Sequence, residues 1–217
     1  MNGPQRTLVK SVRPPRNPLP AHTPGLRVGL FGGTFNPPHA SHRAVSLLAL
    51  KKLGLDRVWW LVTPGNPLKS PSGLPPVAER IAESEKLANH PRIAVTGVES
   101  VIGTQYSHDT IKWLLGECPG VRFVWIMGAD NLKGFHRWKN WREIFMLVPI
   151  AVVDRGGLSL QATSGPAAHR FARTRIAESQ ARTLPDRNPP AWVYLHGIKS
   201  TLSSTALREA KKRMLGG

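Results

Sequence analysis

Three features of the sequence predict an α/β fold with a doubly wound, Rossmann-like, mostly parallel sheet. Short apolar runs alternate with helical patterns from Arg27 onward, several runs are apolar almost throughout, and a glycine-rich turn joins the first run to the first helix. Continuous hydrophobicity marks strands covered on both faces. Strand and helix in repetition then place helices on either side of one sheet.

The strand candidates are 27–31, 58–62, 93–95, 121–127, 150–154 and 191–196. Helical patterns fill the intervals at 39–53, 77–89, 108–117, 131–146, 166–182 and 203–214. In the first of these, Ala40, Ala44, Leu47 and Leu48 recur at helical spacing and give one apolar face. No internal repeat is visible.

The chain has 217 residues, the size of one ordinary domain, which buries about 70% of its unfolded surface and needs no metal or disulfide to hold it. Cys118 is its single cysteine, which excludes an internal disulfide framework or a cysteine zinc cluster and fits a reducing compartment. No apolar run approaches the roughly eighteen residues of a membrane span. A soluble, cytoplasmic protein is expected.

Thirty Lys and Arg against thirteen Asp and Glu give a formal charge of +17, so the expected ligands are polyanions: phosphorylated metabolites, nucleic acid or acidic surfaces. No acid precedes Asp56, while Arg6, Lys10, Arg13 and Arg16 share the first 26 residues with six prolines. The prolines remove donors and force extended backbone, so residues 1–25 read as a disordered, solvated basic tail and 26–217 as a single domain. Such a tail would attract nucleic acid only nonspecifically. Its proline content opposes the amphipathic helix of a transit peptide, and it has no apolar stretch for secretion. A second basic region, 155–187, holds six arginines and reads as a surface helix with loops.

Functional residues are expected where the first strand ends. Gly32 and Gly33 allow close approach of an anion, and the helix that follows offers unpaired N–H groups and a positive dipole end. Pro37 and Pro38 suit a helix start. His39 and His42 project from one face of its first turn, where imidazoles beside an anion tend to be protonated and donate to it. Against this, Gly-Gly is common in turns and a His pair is often a surface feature or half of a metal site. The metal alternative lacks a third ligand nearby.

The stretch Gly29 to His42, GLFGGTFNPPHASH, resembles the GxFxPxHxGH segment of the nucleotidyltransferase superfamily in the form seen in bacterial nicotinate mononucleotide adenylyltransferases. Leu202 to Arg208, LSSTALR, resembles that family's ISSTxIR. Thr63 to Lys69, Gln105 to Ser107, Met127 to Asp130 and Phe135 to Trp138 also fall in the family's order, so the resemblance spans about 26–208. Two departures stand out. Ser41 replaces a glycine, which bears on how base and ribose pack. The chain also stops nine residues after Arg208, where many relatives continue, and that packing would fall to a second subunit in a homo-oligomer or to the tail.

The resemblance implies adenylyl transfer from ATP to nicotinate mononucleotide, giving deamido-NAD and pyrophosphate in NAD biosynthesis. His39, His42 and Arg208 become catalytic candidates. Gly32, Gly33, Thr34, Phe35, Gly128, Asp130, Ser203, Ser204 and Thr205 become ATP-binding candidates, and Asn66, Lys69, Tyr106, Ser107 and Trp138 acceptor-binding ones. Each has a plainer alternative: Ser203 to Thr205 could serve as helix caps, Asp130 could cap the helix after it, and most tryptophans belong to the core. Magnesium would travel on the triphosphate, with no dedicated protein metal site. The rivals are an adenylyltransferase for nicotinamide mononucleotide or phosphopantetheine, and a basic RNA-binding module. A class I aminoacyl-tRNA synthetase is excluded by the chain's length and the want of a KMSKS-like segment.

Overall fold

The computed structural model describes residues 19–65, 67–68, 73–154 and 163–197. Its strands are β1 (Arg27–Gly33), β2 (Arg57–Val62), β3 (Ile93–Thr96), β4 (Arg122–Gly128), β5 (Ile150–Val153), β6 (Arg175–Ile176) and β7 (Trp192–Leu195). They form one sheet in the order β3-β2-β1-β4-β5-β7-β6, and every neighbouring pair is parallel. The chain therefore starts in the middle, winds out to β3, then returns past β1 to build the other half. That reversal opens a crevice at the carboxyl ends of β1 and β4, where open α/β sheets bind ligands.

Side chains alternate along each strand and serve two separate cores. Trp59 enters the core shared with Leu30, Phe123, Trp125 and Tyr194, while Trp60 enters that of Phe31, Val124, Ile126 and Val193. Helix α1 (Ala40–Leu53) covers the second face with Val45, Ala49, Leu50 and Leu53, all buried. Helix α2 (Val77–Ala88) joins it there. Helix α4 (Ser107–Glu117) covers the first face through Ile111 and Leu114. The continuous apolar strands of the sequence are thus covered on both sides.

Two expected helices are broken. Residues 131–146 divide into α5 (Ala129–Gly134), a 3-10 turn (Phe135–Arg137) and α6 (Trp141–Leu147). Asn140 enters α6 in the left-handed region with φ 52°, and the break lets Phe135 and Trp138 pack together, centroids 4.9 Å apart. Residues 166–182 form α7 (Pro166–Arg170), a 3-10 turn (Ala172–Thr174), strand β6 and the start of a second 3-10 segment, Glu178–Asp186. Here Arg175 leaves the helical path and its guanidinium lies 5.2 Å from the Trp192 ring, a contact that fixes β6 beside β7. Helix α3 (Val98–Ile102) is set between Gly97 and Gly103 and had no periodicity long enough to read. The expected helix at 203–214 lies outside the described residues.

From Leu19 on, the segment read as tail lies against the domain. Leu19 packs on the first core, the Gly25 N–H donates to the Gly120 carbonyl at 2.8 Å, and the His22 ring meets Trp59 edge-on. Two apolar contacts and one main-chain bond outweigh the extended bias of the prolines there. Among the described residues no helix is long and apolar enough to cross a membrane.

Candidate functional site

Strand β1 ends on Gly32 and Gly33, in the crevice. A Cβ on Gly32 would stand 2.8 Å from Trp125 Cη2, so glycine lets the strand end lie directly on the indole. Phe35 then turns the chain with φ 45°, a left-handed conformation costly for a bulky residue. Its ring stacks on Trp60 at 5.0 Å and is 1% exposed. Phe35 was expected beside ATP; with its side chain in the core, only its main chain can face a nucleotide.

Helix α1 starts at Ala40 with His39 as its N-cap. Pro37 and Pro38 precede the cap instead of occupying the first helical turn, because the chain is still turning there. His39 and His42 come together as the spacing predicts, both buried, with ring centroids 3.8 Å apart. The His39 main-chain N–H donates to His42 Nδ1 at 3.1 Å. With Nδ1 accepting that bond, Nε2 is the ring nitrogen left to carry a proton and to donate outward.

Strand β4 runs into α5 through Gly128, with exposed Asp130 in its first turn. Tyr106 and Ser107 stand at the start of α4. The Lys139 ammonium lies 4.4 Å over the Tyr106 ring and donates to Asp109 at 3.0 Å, which ties the Trp138 loop to the start of α4. His108 bridges Asp109 and Glu143, 2.9 Å to each. The His108 hydrogen bond, with help from Lys139, holds the Asp109 carboxyl below the usual range. Trp138 is half-buried, on Phe135 and edge-on to Trp125. Tyr106, Ser107 and Trp138 are therefore linked into one region. Asn66, Lys69, Ser203, Ser204, Thr205 and Arg208 lie outside the described residues.

Sequence reasoning missed two buried ionisable side chains beside this crevice. Arg80 of α2 donates to the carbonyls of Pro75, Thr34, Thr63 and Pro64. Burial lowers its pKa from the ordinary value. Glu99 of α3 is buried, accepts from the Thr110 hydroxyl at 3.0 Å, and burial raises its pKa against the opposing pull of the Thr63 and Thr110 hydroxyls. The one available signal was that Arg80, Ser84 and Ala88 share a buried stripe of α2 at four-residue spacing.

Among the described residues no three His, Cys, Asp or Glu side chains are grouped to hold a metal ion. The donors beside β1, two imidazoles and glycine main chain, suit phosphate oxygens; magnesium prefers oxygen ligands.

Comparisons with known proteins identify the family and the fold. The cytidylyltransferase-like family model matches residues 30–210. A Bradyrhizobium protein (strain ORS 278) named "Probable nicotinate-nucleotide adenylyltransferase" is 60% identical over 183 residues, 84% of this chain and 95% of its own. A Rhizobium meliloti protein of the same name is 54% identical over 186 residues, 86% of this chain and 99% of its own. The fold is shared with the Plasmodium falciparum nicotinic acid mononucleotide adenylyltransferase complexed with NaAD, at a TM-score of 0.63, 15% identity, and coverage of 85% and 83% of the two chains. With the family model spanning most of its length and relatives this similar along nearly all of theirs, the chain belongs to the cytidylyltransferase-like family and, within it, to the nicotinate-nucleotide adenylyltransferases.

Proposed function

We propose that the protein transfers the adenylyl group of ATP to nicotinate mononucleotide, forming deamido-NAD and pyrophosphate. The relatives of 54% to 60% identity carry that activity in their names. The observation that carries the reading on this chain is the buried His39–His42 pair, set at a helix start beside Gly32 and Gly33 in the crevice of the sheet.

The acceptor's phosphate oxygen attacks the α-phosphorus, the bond from that phosphorus to the bridging oxygen breaks, and pyrophosphate leaves. A phosphate monoester with a second pKa of about 6 is largely dianionic at neutral pH and needs no general base. Catalysis is alignment of two polyanions and stabilisation of charge on the bridging and leaving oxygens. In this reading Gly32, Gly33, Thr34 and the Phe35 main chain receive ATP, and His39 and His42 donate to its phosphates. Gly128 and Asp130 take its ribose side, while Ser203, Ser204, Thr205 and Arg208 bind its phosphates. Asn66, Lys69, Tyr106 and Ser107 hold the acceptor, with its pyridine ring on Trp138. Magnesium, supplied on the triphosphate, would offset charge between the phosphates.

The test is pyrophosphate release with ATP, magnesium and each mononucleotide in turn. Release with nicotinate mononucleotide, and slower release with the nicotinamide form, is expected. Faster release with the nicotinamide form would reassign the acceptor, and none with either would end the proposal.

A further inference from the structure

Two buried ionisable side chains meet at Thr63, the residue after β2, and together they reach the loops after β1 and β2 and, through Thr110, the segment at Tyr106. Arg80 Nη1 donates at once to the Thr34 carbonyl, 2.7 Å, and the Thr63 carbonyl, 2.8 Å. A single nitrogen thus holds the loop after β1 and the loop after β2 together. Nε reaches Pro75 at 2.9 Å and Nη2 reaches Pro64 at 3.3 Å. All four acceptors are neutral main-chain oxygens, so the guanidinium serves as a rigid fork for fixing backbone, a geometry an ammonium cannot copy.

On the other side of Thr63 lies Glu99. The Thr63 hydroxyl lies 2.8 Å from the Gly65 carbonyl and also within hydrogen-bonding reach of the Glu99 carboxyl, and its one proton can serve only one of them at a time. Glu99 Oε2 otherwise has no hydrogen-bond partner among the described residues. A proton on Glu99 resolves both problems: the acid donates to Thr63, Thr63 donates to Gly65, and the Thr110 hydroxyl donates to Oε1. The Thr110 main-chain N–H donates to the Tyr106 carbonyl at 3.1 Å, so the network ends at a segment proposed to hold the acceptor.

We infer that Arg80, Thr63 and a neutral Glu99 form a positioning network that sets the spacing between the ATP loop at Thr34 and the acceptor segments at Thr63–Gly65 and Tyr106. None of the three acts on a reacting atom. Their effect is on alignment, where a misplacement of about 1 Å costs roughly a hundredfold in rate. The inference rests on the proposed adenylyl transfer for its kinetic consequence, and on geometry alone for its structural one.

The test compares Arg80→Lys, Thr63→Val, Glu99→Gln and Glu99→Ala with the wild-type chain in pyrophosphate release, alongside hydrogen exchange of peptides spanning 32–36 and 63–65. Arg80→Lys keeps the charge and loses the fork. We expect kcat to fall roughly 10- to 100-fold, the KM for ATP to stay within about threefold, and exchange in both peptides to rise together. Glu99→Gln preserves one donor and one acceptor and should stay within about threefold of wild type, whereas Glu99→Ala and Thr63→Val should raise the KM for the mononucleotide severalfold. Wild-type kcat in Arg80→Lys, loosening of one loop without the other, or a Glu99→Gln as impaired as Glu99→Ala would each overturn the network. Absent turnover in the wild-type chain would instead count against the proposed function, and the exchange data would still decide the network.

Discussion

At the carboxyl edge of the sheet Arg80 is 1% exposed and, among the described residues, donates only to neutral carbonyls. At the amino edge Arg27 and Arg122 share one carboxylate, Asp186, with side chains 32% and 51% exposed. The same residue type meets two kinds of partner because the edges have different tasks. A buried guanidinium keeps its hold only by satisfying its donors, and losing them leaves a desolvated charge. A surface pair is weak and screened, worth about 0 to 1 kcal/mol. Beside Thr34 and Thr63, where ATP is proposed to enter, the brace is a guanidinium on main-chain oxygens; at the opposite edge it is an exposed carboxylate.

The largest break in this comparison should come from His42→Ala. Removing one preorganised donor to transferring phosphates costs on the order of a hundredfold in turnover. A melting temperature within a few degrees of wild type would show that the loss is chemical. Turnover within threefold of wild type would return His42 to a packing role against Phe35 and Trp60.

Next in size is Trp138→Ala. Stacking on an indole is worth about 1 to 3 kcal/mol by analogy with base stacking, so mononucleotide binding should weaken by that amount with ATP binding little changed. Calorimetric titration of each ligand separates the two. Equal losses would mark Trp138 as part of the wall it shares with Phe135 and Trp125.

A smaller effect concerns pH. Burial raises the Glu99 pKa above its ordinary 4.5, so between that value and the folded one the native state keeps a proton the unfolded chain has lost. Stability therefore falls as pH rises through this window. Glu99→Gln removes the titration and should flatten the melting-temperature profile above about pH 4.5. Parallel profiles for the two proteins would show that the folded carboxyl is already ionised.

The legible parts were those written locally. Trp59, Trp60 and Leu61 could be read as strand because a two-faced core needs an unbroken apolar run, and His39 and His42 as a pair because one helical turn brings them together. What could not be read depends on distant segments. Arg80 is a charged residue in a helix rich in charge, which by itself reads as solvated; the Thr34 and Thr63 carbonyls that bury it come from the loops after β1 and β2. Glu99 is hidden in the same way behind Thr110, and the breaks around Asn140 and Arg175 are set by Phe135 and Trp192, which the local patterns do not contain.

The smallest expected effect is at the amino edge, in Asp186→Asn. The carboxylate receives Arg27 at 2.7 Å and also Arg122, and it anchors the end of the 3-10 segment to the starts of β1 and β4. With all three side chains about a third exposed or more, solvent screens the pairs and the change should cost no more than about 1 kcal/mol. It leaves two guanidinium groups facing each other in a chain of formal charge +17, so the loss should be greatest in dilute buffer. At 1 M salt, where the Debye length is about 3 Å, it should largely vanish. Turnover should not change at either salt concentration, because nothing at this edge reaches the crevice. Urea melts at low and high salt measure the first expectation and pyrophosphate release the second. A salt-independent loss well above 1 kcal/mol would mean that Asp186 braces its edge as tightly as Arg80 braces the other, and a fall in turnover would mean that the two edges are coupled through β1.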